Sequence, residues 1–254
     1  MRRNICRLVV ATSLCVSAVA QTEPAPRRDL SGHWQPMGGV QALGAQAMPS
    51  DGKPEHEPPY TPYGLELFSK NRPTRGIHEI APTTENDPSH GCDPQGFPRE
   101  NLFELRTIQI LQTPVKTALL YTFGKAYRII WTDGRELPKD PDPRWFGYSV
   151  GAWSNDTTFV VRTNGTDART WIDNAGRPHS EDLRTEETFH RVDRDHLELS
   201  MTIDDPKVYT RPWVALDKLR FTSVAPTTEL SEMLCSPSEI EIYNQKYAPG
   251  ARQK

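Results

Sequence analysis

His179 is the residue of this chain best suited to move a proton near neutral pH. An imidazole titrates around pH ~6.5 and can act as general acid or base. Asp173 lies a few positions earlier in the same segment, close enough to orient it. The bland alternative is a histidine hydrogen-bonded within its own loop. Arg135 or Arg144 would hold an anionic or carbonyl group of a substrate. Asp205, in Asp204-Asp205-Pro206, could add a carboxylate for acid–base work or an oxygen ligand. Asp-Asp-Pro is also an ordinary strand terminator. His90 stands beside Cys92 in a polar stretch and could face the same site. His190 and His196 flank a short turn and are set aside.

Ser149 sits in Gly147-Tyr148-Ser149-Val150-Gly151, a G-x-S-x-G pattern, and Asp173 and His179 follow it in the order α/β-hydrolases use. A nucleophile elbow needs a strand, a sharp turn and then a helix. Here the pattern runs into Ala152-Trp153-Ser154-Asn155-Asp156 and a further strand. Period-two geometry instead puts Gly147, Ser149 and Gly151 on one face, leaving space for a close-packed neighbour or a pocket. No H-x-H, H-E-x-x-H, C-x-x-C or Ca²⁺-loop spacing occurs, so neither a metal nor a cofactor is expected.

These residues fall in long connections between segments that read as strands. The long connections are Thr132–Phe146, Thr163–Leu183 and Asp204–Trp213; the short ones are Gly124–Lys125, Ser154–Asp156 and Asp193–Asp195. With strict up-and-down pairing, every second connection lies at one end of the sheet, so the long ones converge on one rim. Trp131, Trp145, Trp171 and Trp213 border or occupy them, with Tyr148, Tyr209, Arg144 and Arg211 nearby. Aromatic and arginine side chains at one rim suit stacking and anchoring of a ligand. They equally suit a second small core that holds long loops down, with Asp–Arg pairs bridging between them.

The strand signal is β-branched and aromatic enrichment, with clear alternation in Leu197-Glu198-Leu199-Ser200-Met201-Thr202-Ile203. Strands are predicted at Leu30–Trp34, Thr107–Gln112, Thr117–Phe123, Ala126–Trp131, Tyr148–Trp153, Thr157–Arg162, Glu186–Val192, Leu197–Ile203 and Leu216–Thr222. This suits a closed barrel or a two-sheet sandwich. Residues 36–61 and 72–100 lack periodicity. Pro62–Lys70 predicts a short helix with Leu65, Phe68 and Leu67 on its apolar side. Ser236-Pro237-Ser238-Glu239 has capping-box spacing for a second helix, with Ile240, Tyr243 and Tyr247 on one face, expected to pack on the barrel or to cover one end.

The first twenty residues read as a signal peptide. Arg2, Arg3 and Arg7 precede the apolar run Leu8–Val19, and Ala18-Val19-Ala20 is a cleavage site that leaves Gln21 first. The run is too short to span a bilayer, and Leu14 before Cys15 argues against lipidation. A periplasmic or secreted location follows. Export leaves Cys92 and Cys235, for which a disulfide is the default in an oxidising compartment, with a reactive thiol as the functional alternative. The chain divides into residues 1–20, a Pro-rich wrap with a first strand over 21–100, and an antiparallel domain over 101–254 that takes in 30–36. Net charge of −3 and a pI near 6.2 give no footprint for nucleic acid or a membrane surface. Most of the 23 prolines lie in the N-terminal third and the long loops.

Gly32-His33-Trp34 before a run of antiparallel strands resembles the G-x-W start of lipocalin-like barrels, although the long excursion after Trp34 departs from a compact lipocalin. A wider resemblance spans most of residues 84–243. Asn86-Asp87-Pro88, Gly96-Phe97-Pro98-Arg99, Thr132-Asp133-Gly134-Arg135, Gly147–Gly151, Thr170-Trp171-Ile172-Asp173, Pro178-His179-Ser180, Asp205-Pro206 and Pro212-Trp213 are similar to a family of exported bacterial β-rich proteins. That resemblance implies a secreted β-rich fold and brings no catalytic residues with it. The expected fold is a mainly β, antiparallel up-and-down, lipocalin-like barrel with a C-terminal helix. The expected function is binding of a small, partly apolar or cyclic molecule at the long-loop rim, where barrel mouths favour ligands. The rivals are a hydrolase or lyase using His179 and Asp173, and a cell-envelope interaction protein using the rim as an interface.

Overall fold

The computed structural model describes residues 23–37, 49–102, 105–122, 126–231 and 233–246. The expected signal peptide, residues 1–20, and the expected short connection Gly124-Lys125 lie outside them. Nine strands close into one barrel in sequence order: β1 Gly32–Pro36, β2 Ile108–Gln112, β3 Lys116–Tyr121, β4 Tyr127–Trp131, β5 Tyr148–Trp153, β6 Thr158–Asn164, β7 Arg184–Arg191, β8 His196–Asp204 and β9 Trp213–Val224. The mainly β barrel expected from the residue pattern is present, and most strand limits differ from expectation by a few residues. β9 starts at Trp213 because it pairs with Ile203 at the far end of β8. Among the described residues no helix is long and apolar enough to cross a membrane.

One pair departs from strict antiparallel order. β4 and β5 run parallel, through only two register pairs, Ile130↔Ser149 and Trp131↔Val150. A parallel neighbour requires a long crossover, and the connection from Thr132 to Gly147 provides it. That connection begins at the short-turn end, where the Thr132 amide donates to the Val115 carbonyl. It ends beside β6, where the Arg144 amide donates to the Gly165 carbonyl and Gly147 packs against Asn164. From Pro138 onward it lies against the start of the 163–183 loop, whereas Thr132–Arg135 stays apart from it.

Side chains fill the lumen. Alternate residues of the strands point inward, among them Trp34, Ile110, Phe159, Phe189, Leu199 and Phe221. A short helix, α2 (Arg99–Leu102), has all four residues buried and brings Phe97, Asn101 and Leu102 into the same interior. Inside, the Arg128 guanidinium meets Glu187 through both carboxylate oxygens, at 3.0 and 2.5 Å. It also donates to Ser149 Oγ and Thr163 Oγ1 and lies 3.8 Å from the Phe97 ring centre. Asn101 donates to Glu187 Oε1. Burial opposes the Arg128 charge, and Glu187 outweighs it, so the pKa sits above the ordinary arginine value.

The N-terminal part wraps the barrel. Residues 23–29 bind the short-turn end: the Arg28 amide donates to the Asp156 carbonyl and the Arg194 amide to that of Glu23. Helix α1 (Pro62–Lys70) lies at the long-loop end. Thr61 caps it by accepting from the Gly64 amide at 3.0 Å, and Pro62 opens its first turn. Gly64 is needed because a Cβ there would stand 2.2 Å from the Val208 carbonyl oxygen. Phe68 is buried as expected, whereas Leu65 is exposed. Of the face expected of the C-terminal helix, α3 (Pro237–Lys246), only the Ile240 side chain is described. Its described side chains are exposed apart from half-buried Ile240, and the Tyr243 side chain and Tyr247 lie outside the described set. A Cys92–Cys235 disulfide ties the segment leading into α3 to the wrap.

Removing one partner of a buried ion pair strands the other. Glu187→Ala is expected to destabilise the fold by about 3–5 kcal/mol, read from denaturant midpoints. Replacing both residues, as Arg128→Met with Glu187→Leu, should recover most of that loss. Equal midpoints for wild type and Glu187→Ala would show that the pair does not hold the barrel.

Candidate functional site

The structure separates the residues singled out for chemistry. Ser149 is buried in the barrel wall, holding Arg128 Nε at 3.0 Å and Thr163 Oγ1 at 2.9 Å. Its neighbour Gly151 is a glycine because Phe159 packs on it: an added Cβ would meet the ring at 2.3 Å. The G-x-S-x-G pattern thus encodes close packing, and no helix follows it. Asp173 does not orient His179. It accepts from the Ala175 amide at 2.9 Å and pairs with Arg177 Nη1 at 2.7 Å. Asp205 is fully buried as a cap, accepting from the Ser180 amide and hydroxyl at 2.6 and 2.8 Å. Arg135 stands on the outer wall, pairing with Asp133, reaching the Tyr148 hydroxyl at 3.0 Å and stacking 3.7 Å over Trp131.

The aromatic and arginine side chains also part company. Tyr209 and Trp213 are buried edge to face, and the Tyr209 hydroxyl donates to the Pro178 carbonyl at 2.7 Å. Arg144 is exposed and lies over Tyr148; Arg211 is exposed. Trp145 is half-buried beneath the Arg169 guanidinium, 4.3 Å away. His90 pairs with Glu85. His190 and His196 lie at the short-turn end, against Thr158 and Asp193. Most of loop 163–183 is buried, so most of its conspicuous side chains do form a second small core.

Two of the expected residues, Trp171 and His179, meet at a cleft of about 330 Å³. One wall is loop 168–171 with Pro178 and His179. The facing wall comes from the N-terminal wrap: Leu67, Lys70 and Asn71 of α1 and its end, then Asn86, Pro88 and Asp93. Trp171 is 4% exposed, and Thr170 and His179 are each 3% exposed. His179 Nε2 lies 2.8 Å from Thr170 Oγ1, and Nδ1 lies 3.0 Å from the Ser180 carbonyl oxygen. Burial lowers the His179 pKa below its ordinary value; the Ser180 carbonyl, Asp205 and Asp167 restore only part of it. The imidazole is therefore neutral at pH ~7. Arg169 pairs with Asp167 at 2.6 Å, and Lys70 with Glu66 at 2.7 Å, so both cations at the cleft mouth carry counter-ions.

Thr170 is the site residue that the sequence pattern did not mark. Its only signal is position, a hydroxyl beside Trp171 in the loop that carries His179. Asn71, Asn86 and Asp93 carried none, because nothing local brings the wrap to this rim. Among the described residues, no cluster of three or more His, Cys, Asp or Glu side chains could hold a metal.

The class these observations define is a closed β-barrel with a buried side-chain interior and a cleft of mixed polar and apolar lining outside its long-loop end. Comparison with known proteins adds no relative: no family model, no curated protein and no solved structure matches the chain.

The lowered His179 pKa sets the sign of a pH effect. The folded protein binds this proton more weakly than the unfolded chain, whose histidine titrates near 6.5. The stability it contributes is complete above that value and is lost as pH falls through the native pKa. Denaturant midpoints compared between pH ~7.5 and ~5 should fall less for His179→Gln than for wild type. Identical slopes would show that the folded protein does not hold the imidazole neutral.

Proposed function

We infer that this protein is an exported binding protein for a small, partly apolar or cyclic molecule, and that the ligand lies in the rim cleft and not in the lumen. The observation that carries this reading is the make-up of the cleft. Leu67, Pro88, Ala168 and Pro178 offer apolar surface. Thr170, His179, Asn71 and Asn86 offer a few polar groups on fixed supports. Small-molecule sites combine apolar walls with a few placed polar groups and start at roughly 300 Å³. The filled interior speaks against the lumen as the site. The disulfide and the N-terminal charge and apolar pattern support export to a periplasm or beyond.

A thermal-shift screen with small, partly apolar or cyclic compounds tests this, using Ala168→Trp to fill the cleft from an exposed position. At a concentration a hundred times Kd, a ligand should raise the wild-type Tm by roughly 5–10 °C. The same compound should leave Ala168→Trp unmoved, and in NMR spectra it should shift the Trp171 indole signal and not that of Trp34. A ligand whose effect survives in Ala168→Trp would overturn the cleft as its site.

A further inference from the structure

Binding alone makes no use of the hydrogen-bond arrangement at the bottom of the cleft. The Ser180 carbonyl oxygen, 3.0 Å from His179 Nδ1, can only accept. In the neutral imidazole Nδ1 therefore carries the ring proton, and Nε2 turns its lone pair to Thr170 Oγ1, 2.8 Å away. The threonine hydroxyl has one hydrogen and two acceptors in reach, the Asp167 carbonyl at 3.0 Å and Nε2 at 2.8 Å; turned to Nε2 it is poised to give up its proton, and it returns to the carbonyl when the imidazole is protonated. A hydroxyl, a neutral imidazole and a fixed acceptor behind the far ring nitrogen are the parts of an activated nucleophile, here with a main-chain carbonyl as the orienting group.

The other hydroxyls considered for chemistry are committed elsewhere. Ser149 faces Arg128 inside the barrel, and Ser180 Oγ donates to Asp205. Thr170 and His179 both line the cleft. Asn71 lines it too; its Nδ2 donates one hydrogen to the Gly176 carbonyl at 2.7 Å and has a second to give. An amide donor of this kind is what a developing oxyanion needs.

We propose that Thr170 is a nucleophile activated by His179, and that the cleft hydrolyses small carboxylic esters. This rests on the cleft being the ligand site. Thr170 Oγ1 bonds to the acyl carbon while its proton passes to His179 Nε2, and the carbonyl π pair moves to oxygen. Collapse re-forms the carbonyl and breaks the bond to the alcohol oxygen, which leaves with the proton from Nε2. Water then adds to the acyl-threonine carbon and gives its proton to Nε2. Oγ1 departs and recovers that proton. Ester and water become acid and alcohol, with water as the sole co-reactant.

The test uses the full chain with p-nitrophenyl acetate and p-nitrophenyl butyrate, following p-nitrophenolate release and the intact mass. A burst with one acyl group on the peptide carrying Thr170 is expected. Thr170→Val, which keeps the volume and loses the hydroxyl, should reduce turnover by at least about 10²-fold, and Thr170→Ser should restore it. His179→Gln should cost about 10²–10⁴-fold and abolish the acid limb of the pH–rate profile, whose inflection in the wild type should lie below the ordinary histidine value. Melting curves recorded alongside identify any variant that fails to fold; the serine variant and His179→Gln then decide. Acylation at another residue, wild-type turnover in Thr170→Val, or no turnover of either ester would overturn the proposal. Esters that raise Tm in wild type but not in Ala168→Trp, and are not cleaved, would sink catalysis and leave the binding reading standing. Esters cleaved equally by Ala168→Trp would sink both.

Discussion

The structure depends on the Arg128 charge in the middle of the barrel. A buried guanidinium is tolerable only when its hydrogens are taken and its charge is matched. Here Glu187 on β7 supplies the charge, Ser149 on β5 and Thr163 on β6 take further hydrogens, and Phe97 from the wrap covers one face. These partners span the weakest seam. β4 and β5 share only two ladder pairs, so little main-chain bonding sets their register. Arg128 on β4 reaches across that seam to three successive strands, doing through side chains what the ladder does elsewhere. The same requirement draws Phe97 and Asn101 inward. The same residues, with Trp34, Phe159, Phe189 and Phe221, make the interior a packed core.

Much of the fold was legible because strand formation is a local signal. Alternation and β-branched content marked all nine strands, Pro62 with the apolar side of Leu65, Leu67 and Phe68 marked α1, and the expectation of export, with two cysteines left after residue 20, implied the disulfide. The parallel pair was not legible. The crossover Thr132–Gly147 is seated by contacts to residues distant in sequence, Pro138 to Asn164 and Arg144 to Gly165, and Arg128 ties the strands it joins, so no local pattern announces its course. This one pair sends the Asp133–Arg135 turn to the outer wall, away from His179.

The site was legible in part for a similar reason. A histidine in a long loop can be seen in sequence; the direction of its ring cannot. Asp173 is close to His179 along the chain, but Arg177 is its nearer chemical partner, and the turn amides of Ala175 and Arg177 complete its shell. Asp205 is likewise drawn to Ser180. Carboxylates are common loop-formers because they accept from nearby amides, so nearness to a histidine is weak grounds for pairing the two.

Those misassigned groups still bear on the cleft, because they fix its wall. Asp205 holds Ser180, whose carbonyl sets the His179 tautomer. Tyr209 holds the carbonyl of Pro178, the residue before the histidine. Asp173 and Arg177 pin the preceding turn to the wrap through the Pro49 and His56 carbonyls. The disulfide holds Cys92, and with it Asp93, on the facing wall. An imidazole bonded at both nitrogens, on a backbone fixed at Pro178 and Ser180, keeps its position beside Thr170, and the supporting shell around a group governs how well its geometry is kept. The buried polar network of loop 163–183 is in this sense both a second core and the frame of the site, and the choice between packing and function does not arise for it.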